Sequence, residues 1–137
     1  MEVTAKFLDG VRFEASTRGH SIISDQPTDN GGTDSGMTPP EFLLASMATC
    51  GAYYAVQYLK TRGLATEGLE VKVTAEKAKQ PARLSAFHIQ VIPGPASLDE
   101  RHLEGLIRAV KSCVVHATLV SNPLVEVSVT PLVIPER

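Results

Sequence analysis

The sequence predicts an α+β fold with the element order βββ-α-ββ-α-β, because strand-like and helix-like segments are grouped along the chain. Two observations support this prediction. Short segments of alternating apolar and polar residues occur near both ends, and two longer segments carry helix start and stop signals. The 137 residues fit one domain, which we take to be residues 1–137.

Three strands are predicted before the first helix. Asp9-Gly10 is a strong hairpin signal between the first two strands, and Arg18-Gly19 marks the turn before the third. The predicted strands cover residues 3–8, 11–15 and 20–24. Residues 25–36 are rich in Gly, Asp, Pro and Asn, which predicts a flexible loop.

The first helix has a clear start and a clear end in the sequence. Thr38 can cap it, Pro39 suits its first position, and Glu41 completes a capping box. Gly63 is a typical stop signal. Apolar residues occur on nearly every side between these limits, which is typical of a helix in a core or a subunit interface. The sequence therefore predicts a long central helix.

The second half of the chain contains strands on both sides of a shorter helix. Ser97 and Glu100 form a second capping-box pattern, and an amphipathic helix extends from there to about Cys113. Residues 77–83 form a basic loop between the first two of these strands. In chain order the predicted strands cover residues 69–75, 84–92, 124–129 and 132–134.

Composition and charge exclude several classes of function. With 13 Lys+Arg, 15 Asp+Glu and a formal charge of −2, the chain lacks the dense basic run that nucleic acid or an anionic membrane requires. Polar residues interrupt the apolar helix, which argues against a membrane span. The first residues lack the pattern of a secretory signal, so we expect a cytoplasmic protein.

Cys50 and Cys113 are the two cysteines, and each falls on a predicted helix. They are either small buried hydrophobic residues or a working thiol pair. In the second case Cys50 attacks an electrophile such as a peroxide oxygen and becomes a sulfenic acid. Cys113, near the carbonyl end of its helix, then condenses with it to a disulfide, and an external dithiol resets the pair.

The histidines do not predict a metal site, because none of the four shows the spacing of metal ligands. His116 lies three residues after Cys113, where it either helps that thiol to ionise or is a surface residue in a loop. A Cys-His hydrolase would need an oriented base and an oxyanion hole, and nothing local supplies them. We expect no metal and no bound cofactor.

Two cysteine segments resemble the OsmC/Ohr family. Residues 31–50 read GGTDSGMTPPEFLLASMATC, with a Gly-rich loop, a Pro-Glu helix start and a cysteine within the helix. Residues 112–119 read SCVVHATL and are similar to the second-cysteine segment of the family. Residues 18–27 are similar to the N-terminal segment of the YhfA-type branch. The order of elements matches across essentially the whole chain.

The resemblance implies an intertwined homodimer with the long helices at its core and two active sites at the interface. It also implies reduction of organic hydroperoxides in a stress or detoxification role, with Cys50 peroxidatic and Cys113 resolving. In the family an arginine stabilises the thiolate and a glutamate holds that arginine. Arg18 and Glu41 are the matching candidates here, and a lipoyl-type dithiol would be the reductant.

The sequence departs from the peroxidase branches at two places. Their acidic residue lies ten positions before the cysteine, at Pro40 here, whereas Glu41 lies nine before and is rotated by about 100° on a helix. Arg12, not Arg18, lies close to where those branches place their arginine. Two rival functions follow: a non-enzymatic protein that binds a small hydrophobic ligand at the dimer interface, and thiol chemistry on another electrophile.

Overall fold

The computed structural model describes residues 1–95, 97–131 and 135–136. These residues form a mixed α+β structure with a three-stranded sheet, a two-stranded sheet and three α-helices. The strands are β1 (Thr4–Asp9), β2 (Arg12–Thr17), β3 (His20–Ser24), β4 (Glu70–Ala78) and β5 (Arg83–Ile92). The helices are α1 (Pro39–Thr61), α2 (Glu100–Lys111) and α3 (Val114–Val120).

The N-terminal sheet has the antiparallel order β1-β2-β3, as the turn signals predict. Phe7 and Phe13 are cross-strand partners whose rings meet edge to face, with centroids 5.7 Å apart. Ile22 lies on the same face, and all three side chains are exposed. The sheet makes few contacts with the helices, so its apolar face stays uncovered within one chain.

Helix α1 begins and ends where the sequence predicts. Thr38 and Glu41 form the reciprocal capping box, and Gly63 follows the last turn with a φ of +66°. Only one face of the helix is buried, although apolar residues surround it. Tyr53 on another face is 61% exposed. The buried residues recur at every fourth position and are Met47, Gly51, Ala55 and Leu59.

The main core lies between α1, α2 and the β4–β5 hairpin. Ala55 and Leu59 of α1 pack with Leu106 and Val110 of α2, and apolar side chains of the hairpin complete the cluster. The hairpin alternates as expected, with its half-buried residues directed to the core. This packing fixes the position of α2 on α1, and therefore the relative position of their cysteines.

Two predictions for the α2 region are wrong. Asp99 caps α2 in place of Ser97, because its carboxylate accepts the backbone N–H of His102 at 2.9 Å. Residues after Cys113 form the helix α3 instead of a loop. Packing of α3 against α1 and α2 overrides the weak helix propensity of its β-branched residues.

The predicted strand at residues 124–129 is also wrong, because residues 122–131 form no strand. Their alternation suits a strand with one apolar face, but a strand needs a neighbour to receive its backbone hydrogen bonds. No described strand of this chain pairs with the segment. Its apolar residues Leu124, Val125, Val127 and Val129 are each at least 80% exposed. The strand predicted at 132–134 lies outside the described residues.

Candidate active site

A disulfide joins Cys50, in the middle of α1, to Cys113, between α2 and α3. Their Cα atoms are 6.0 Å apart, within the usual range for a disulfide. Packing of the helices therefore brings together two thiols that are separated by 63 residues in the sequence. The arrangement allows the two sulfurs to react with each other.

The two cysteines differ in accessibility. Cys113 is 2% exposed, whereas Cys50 is half-buried. A small electrophile from solvent therefore meets Cys50 first, and Cys113 reacts within the protein. This difference agrees with the order of attack that the sequence predicts.

Gly51 is a site residue that the sequence analysis missed. A side-chain carbon at this position would lie 3.4 Å from Cγ1 of Val110, an ordinary van der Waals contact. Gly51 therefore lies against α2 one turn before Cys113. A glycine beside a cysteine in an apolar helix was the available signal for this contact.

An apolar groove of about 580 Å³ lies between β5, α2 and α3. Met47 of α1, one turn before Cys50, also contributes to its wall. The volume and the apolar wall suit a small organic molecule. Its titratable side chains among the described residues are His88, Lys111 and His116, and its apolar residues include Leu103, Ile107 and Leu119.

His116 lies on α3 and not in the loop that the sequence analysis considered. Its Nδ1 atom is buried and has no hydrogen-bond partner among the residues described. The imidazole therefore presents an unsatisfied polar atom within a mostly apolar wall. Such atoms are uncommon in folded proteins, since an unpaired buried polar group is costly.

Glu41 forms the predicted capping box. Its Oε1 accepts the Thr38 hydroxyl at 2.7 Å and the Thr38 N–H at 3.2 Å. These two hydrogen bonds lower the pKa of Glu41. Its nine-residue separation from Cys50 corresponds to about two and a half helical turns, which places the two on opposite sides of α1. Its Oε2 accepts no hydrogen bond from the described part of the chain, so Glu41 remains a predicted partner for an arginine.

Both candidate arginines lie on the N-terminal sheet. The guanidinium of Arg12 donates to Asp9 and to the Ser35 hydroxyl, each at 3.1 Å. Arg18 lies in the β2–β3 turn with a φ of +50° and an exposed side chain. Within the described residues Arg18 has no side-chain hydrogen bond or ion pair, and neither arginine contacts Cys50 or Glu41 through a hydrogen bond.

Asp25 organises the loop that precedes α1, and the sequence analysis did not single it out. It is fully buried, and its Oδ2 accepts both the N–H and the hydroxyl of Thr33 and of Ser35. Its Oδ1 accepts the N–H of Gln26 at 2.8 Å. These bonds, led by those from Ser35, hold the pKa of Asp25 far below its usual range. The signal was an aspartate followed by Thr and Ser eight and ten residues later.

Glycines in this loop serve close packing. A side chain at Gly32 would collide with the carbonyl of Gln26, and one at Gly36 with the carbonyl of Ile23. Residues 25–36 form the predicted loop, and this loop folds tightly around Asp25. We call this segment the Asp25 loop. It joins β3 to the start of α1 through a parallel bridge between Ser24 and Met37.

Among the described residues, no group of three or more His, Cys, Asp or Glu side chains is placed to hold a metal ion. No helix in these residues is long and apolar enough to cross a membrane.

Comparison with known structures reveals a shared fold. A protein from Psychrobacter arcticus 273-4, described as an osmotic stress induced and detoxification response protein, superposes with a TM-score of 0.76 at 23% identity, covering 85% of each chain. An OsmC-like protein from Mycoplasma pneumoniae gives a TM-score of 0.72 at 22% identity, covering 88% of this chain and 87% of the other.

An organic hydroperoxide resistance protein from Elizabethkingia anophelis, with bound thiocyanate, gives a TM-score of 0.61 at 15% identity. That match covers 89% of this chain and 90% of the other. No curated protein matches the sequence. The branch of the family stays a prediction. The model of the family described as OsmC-like protein matches residues 32–128. With most of its length matched and its fold shared, the chain belongs to the OsmC-like family.

Proposed function

We propose that the protein is a thiol-dependent peroxidase that reduces organic hydroperoxides through Cys50 and Cys113. The observation that supports this proposal is the pairing of a half-buried Cys50 with a buried Cys113 within disulfide reach. A purely structural pair would need no such difference in access. The family relationship and the neighbour named for organic hydroperoxide resistance agree with the same chemistry.

The proposed cycle has three steps. The Cys50 thiolate attacks one peroxide oxygen, the O–O bond breaks, and the alcohol leaves while Cys50 becomes a sulfenic acid. Cys113 then attacks the Cys50 sulfur, the S–S bond forms and water leaves. An external dithiol, of the lipoyl type, reduces the disulfide by exchange and is itself oxidised. No metal or bound cofactor takes part.

The apolar groove supports an organic substrate over hydrogen peroxide. Met47 connects its wall to the turn of α1 that carries Cys50. Burial of an alkyl or aryl group there contributes about 25 cal/mol for each Å² of apolar surface removed from water. A hydroperoxide with an apolar body therefore gains affinity that hydrogen peroxide lacks.

We further propose that the active unit is an intertwined homodimer. The uncovered apolar face of the N-terminal sheet and the exposed side of α1 are surfaces that a second copy would bury. Arg18 would then reach Cys50 of the other copy and stabilise its thiolate, with Glu41 holding the arginine. The charge of Arg12 is already paired with Asp9, which makes it the weaker candidate.

The cycle also suits a cytoplasmic protein with a role in stress or detoxification. A cysteine pair that must be reduced after each turnover needs a compartment that supplies reducing dithiols. The small size and the absence of a dense basic run agree with a small-molecule substrate and with no nucleic-acid partner.

Cysteine variants test the proposed function. The reduced protein is mixed with one equivalent of cumene hydroperoxide, and free thiols and intact mass are measured within seconds. Wild type is expected to lose two thiols and two daltons. Cys50→Ser is expected to consume no peroxide. Cys113→Ser is expected to consume the single equivalent once, and Cys50 is then over-oxidised when further peroxide is added. If Cys50→Ser reduces peroxide at the wild-type rate, the proposed mechanism is refuted.

The groove also favours the non-enzymatic alternative, in which it holds a small hydrophobic ligand. In that case both wild-type thiols survive the peroxide, and an apolar fluorescent probe still binds the groove. A third outcome is that the thiols do not react with peroxide but react fast with an acyl or persulfide donor. That result would indicate that the substrate is an electrophile other than a peroxide.

A further inference from the structure

The imidazole of His116 is a polar group that the cycle above does not use. Its Nδ1 is closed off from solvent and has no hydrogen-bond partner among the described residues. A buried nitrogen of this kind is rarely left unpaired in every state of a protein. The structure contains the oxidised cysteine pair, so the hydrogen-bond partner of Nδ1 is expected in the reduced protein.

The position of His116 relative to Cys113 identifies that partner. Cys113 is the N-cap of α3 and His116 its third residue, the same two positions that Thr38 and Glu41 occupy in α1. In α1 the side chains at these positions touch, because the Thr38 hydroxyl donates to Glu41 at 2.7 Å. Both N-cap residues have an extended backbone, with φ and ψ of −73° and 158° at Thr38 and −59° and 136° at Cys113.

The redox state of Cys113 explains why it forms no hydrogen bond with His116 in this structure. Its sulfur is bonded to Cys50 and carries no proton, so it has nothing to donate to Nδ1. In the reduced protein the thiol regains its proton and becomes a hydrogen-bond donor three residues from the imidazole.

We propose that His116 is the base that activates Cys113 for disulfide closure, an inference that rests on the proposed function. Nδ1 removes the thiol proton from Cys113. The sulfur electron pair then attacks the sulfur of the Cys50 sulfenic acid, an S–S bond forms and the S–O bond breaks. The departing hydroxide takes a proton and leaves as water, so His116 ends neutral. Cys113 is oxidised and the sulfenic acid is reduced.

Closure can be measured without peroxide. In the reduced protein the accessible Cys50 is converted to a mixed disulfide with thionitrobenzoate, and release of thionitrobenzoate reports the attack of Cys113. An unassisted thiol with a pKa of about 8.5 is only about 3% ionised at pH 7, so loss of the base is expected to slow release by roughly 30-fold. The variants are His116→Ala and His116→Gln, and His102→Gln, on α2 outside the lining of the groove, is the matched control.

The inference predicts slow release in both His116 variants and wild-type release in His102→Gln. Glutamine fills the space and keeps a hydrogen bond but cannot take a proton, so a wild-type rate in His116→Gln would overturn the base role. A wild-type rate in His116→Ala would overturn it as well. A parallel reaction with cumene hydroperoxide separates the two proposals: wild type that ignores peroxide refutes the proposed function, while slow release in the variants still establishes the base.

Discussion

A single buried carboxylate determines how the chain enters its long helix. Asp25 receives five hydrogen bonds from Gln26, Thr33 and Ser35, and Ser35 in turn receives one from Arg12. The Asp25 loop thus connects a strand of the N-terminal sheet, the loop glycines and the first turn of α1. Replacement of this carboxylate affects all three.

Asp25→Asn is expected to lower the midpoint of thermal unfolding markedly at pH 7. The folded state lowers the pKa of Asp25, so its stabilising contribution is complete above the ordinary aspartate pKa of about 3.9 and is lost as pH falls below it. The difference between wild type and variant should therefore shrink below about pH 4. Asp29→Asn, an exposed change in the same loop, is the control, and a difference that persists unchanged at low pH would contradict the assignment.

Residues with local signals could be predicted from the sequence, and residues defined by packing could not. The Thr38–Glu41 box was predicted because capping depends on four adjacent positions. Gly51 contacts a residue far away in the sequence, and Asp25 binds residues up to ten positions later, so the role of neither follows from adjacent positions alone. The cysteine pair lies between these cases. Helix periodicity placed each cysteine on a helix, but only the family resemblance indicated that the two react with each other.

The N-terminal sheet is the element whose role depends most on the proposed homodimer. Both candidate arginines are on it, and it stands apart from the helices that carry the cysteines. Its strands were predicted within about two residues because alternation and turn residues are local signals. Local signals do not indicate what covers Phe7 and Phe13, which are exposed in the structure.

Arg18→Met is expected to raise the pKa of the Cys50 thiol by about one unit or more, because a guanidinium beside a thiolate stabilises the charged form. The thiol is titrated by thiolate absorbance in the Cys113→Ser background, so that only one thiol responds. Arg12→Met is the matched control and should leave the Cys50 pKa unchanged while weakening the Asp25 loop. If the Cys50 pKa is the same in both arginine variants and in the Cys113→Ser parent, Arg18 does not stabilise the thiolate.

At the scale of the whole molecule, the proposed homodimer bears most directly on the C-terminal segment. Residues 122–131 alternate like a strand yet are exposed, with Val127 91% exposed. In the proposed homodimer, a second copy would cover one face of this segment, as it would cover the apolar face of the N-terminal sheet.

Val127→Glu is expected to weaken the dimer at least tenfold, because burial of a valine contributes about 1.5 kcal/mol or more and a charge there would be costly. Light scattering with size-exclusion chromatography should show a shift from twice the chain mass towards 14.7 kDa. Ser128→Glu changes the opposite face of the same segment and should leave the dimer intact. A wild-type protein that is already monomeric, or an equal effect of Ser128→Glu, would contradict this assembly.

The unequal burial of the two sulfurs also sets the kinetics of the proposed cycle. Only Cys50 is accessible from solvent, so the oxidant and the reducing dithiol must react at the same cysteine, one after the other. The alcohol has to depart before the dithiol can attack, and that attack expels Cys113 as the leaving group. Steady-state rates should then follow a double-displacement pattern, with parallel reciprocal plots and inhibition of regeneration by apolar molecules that linger in the groove.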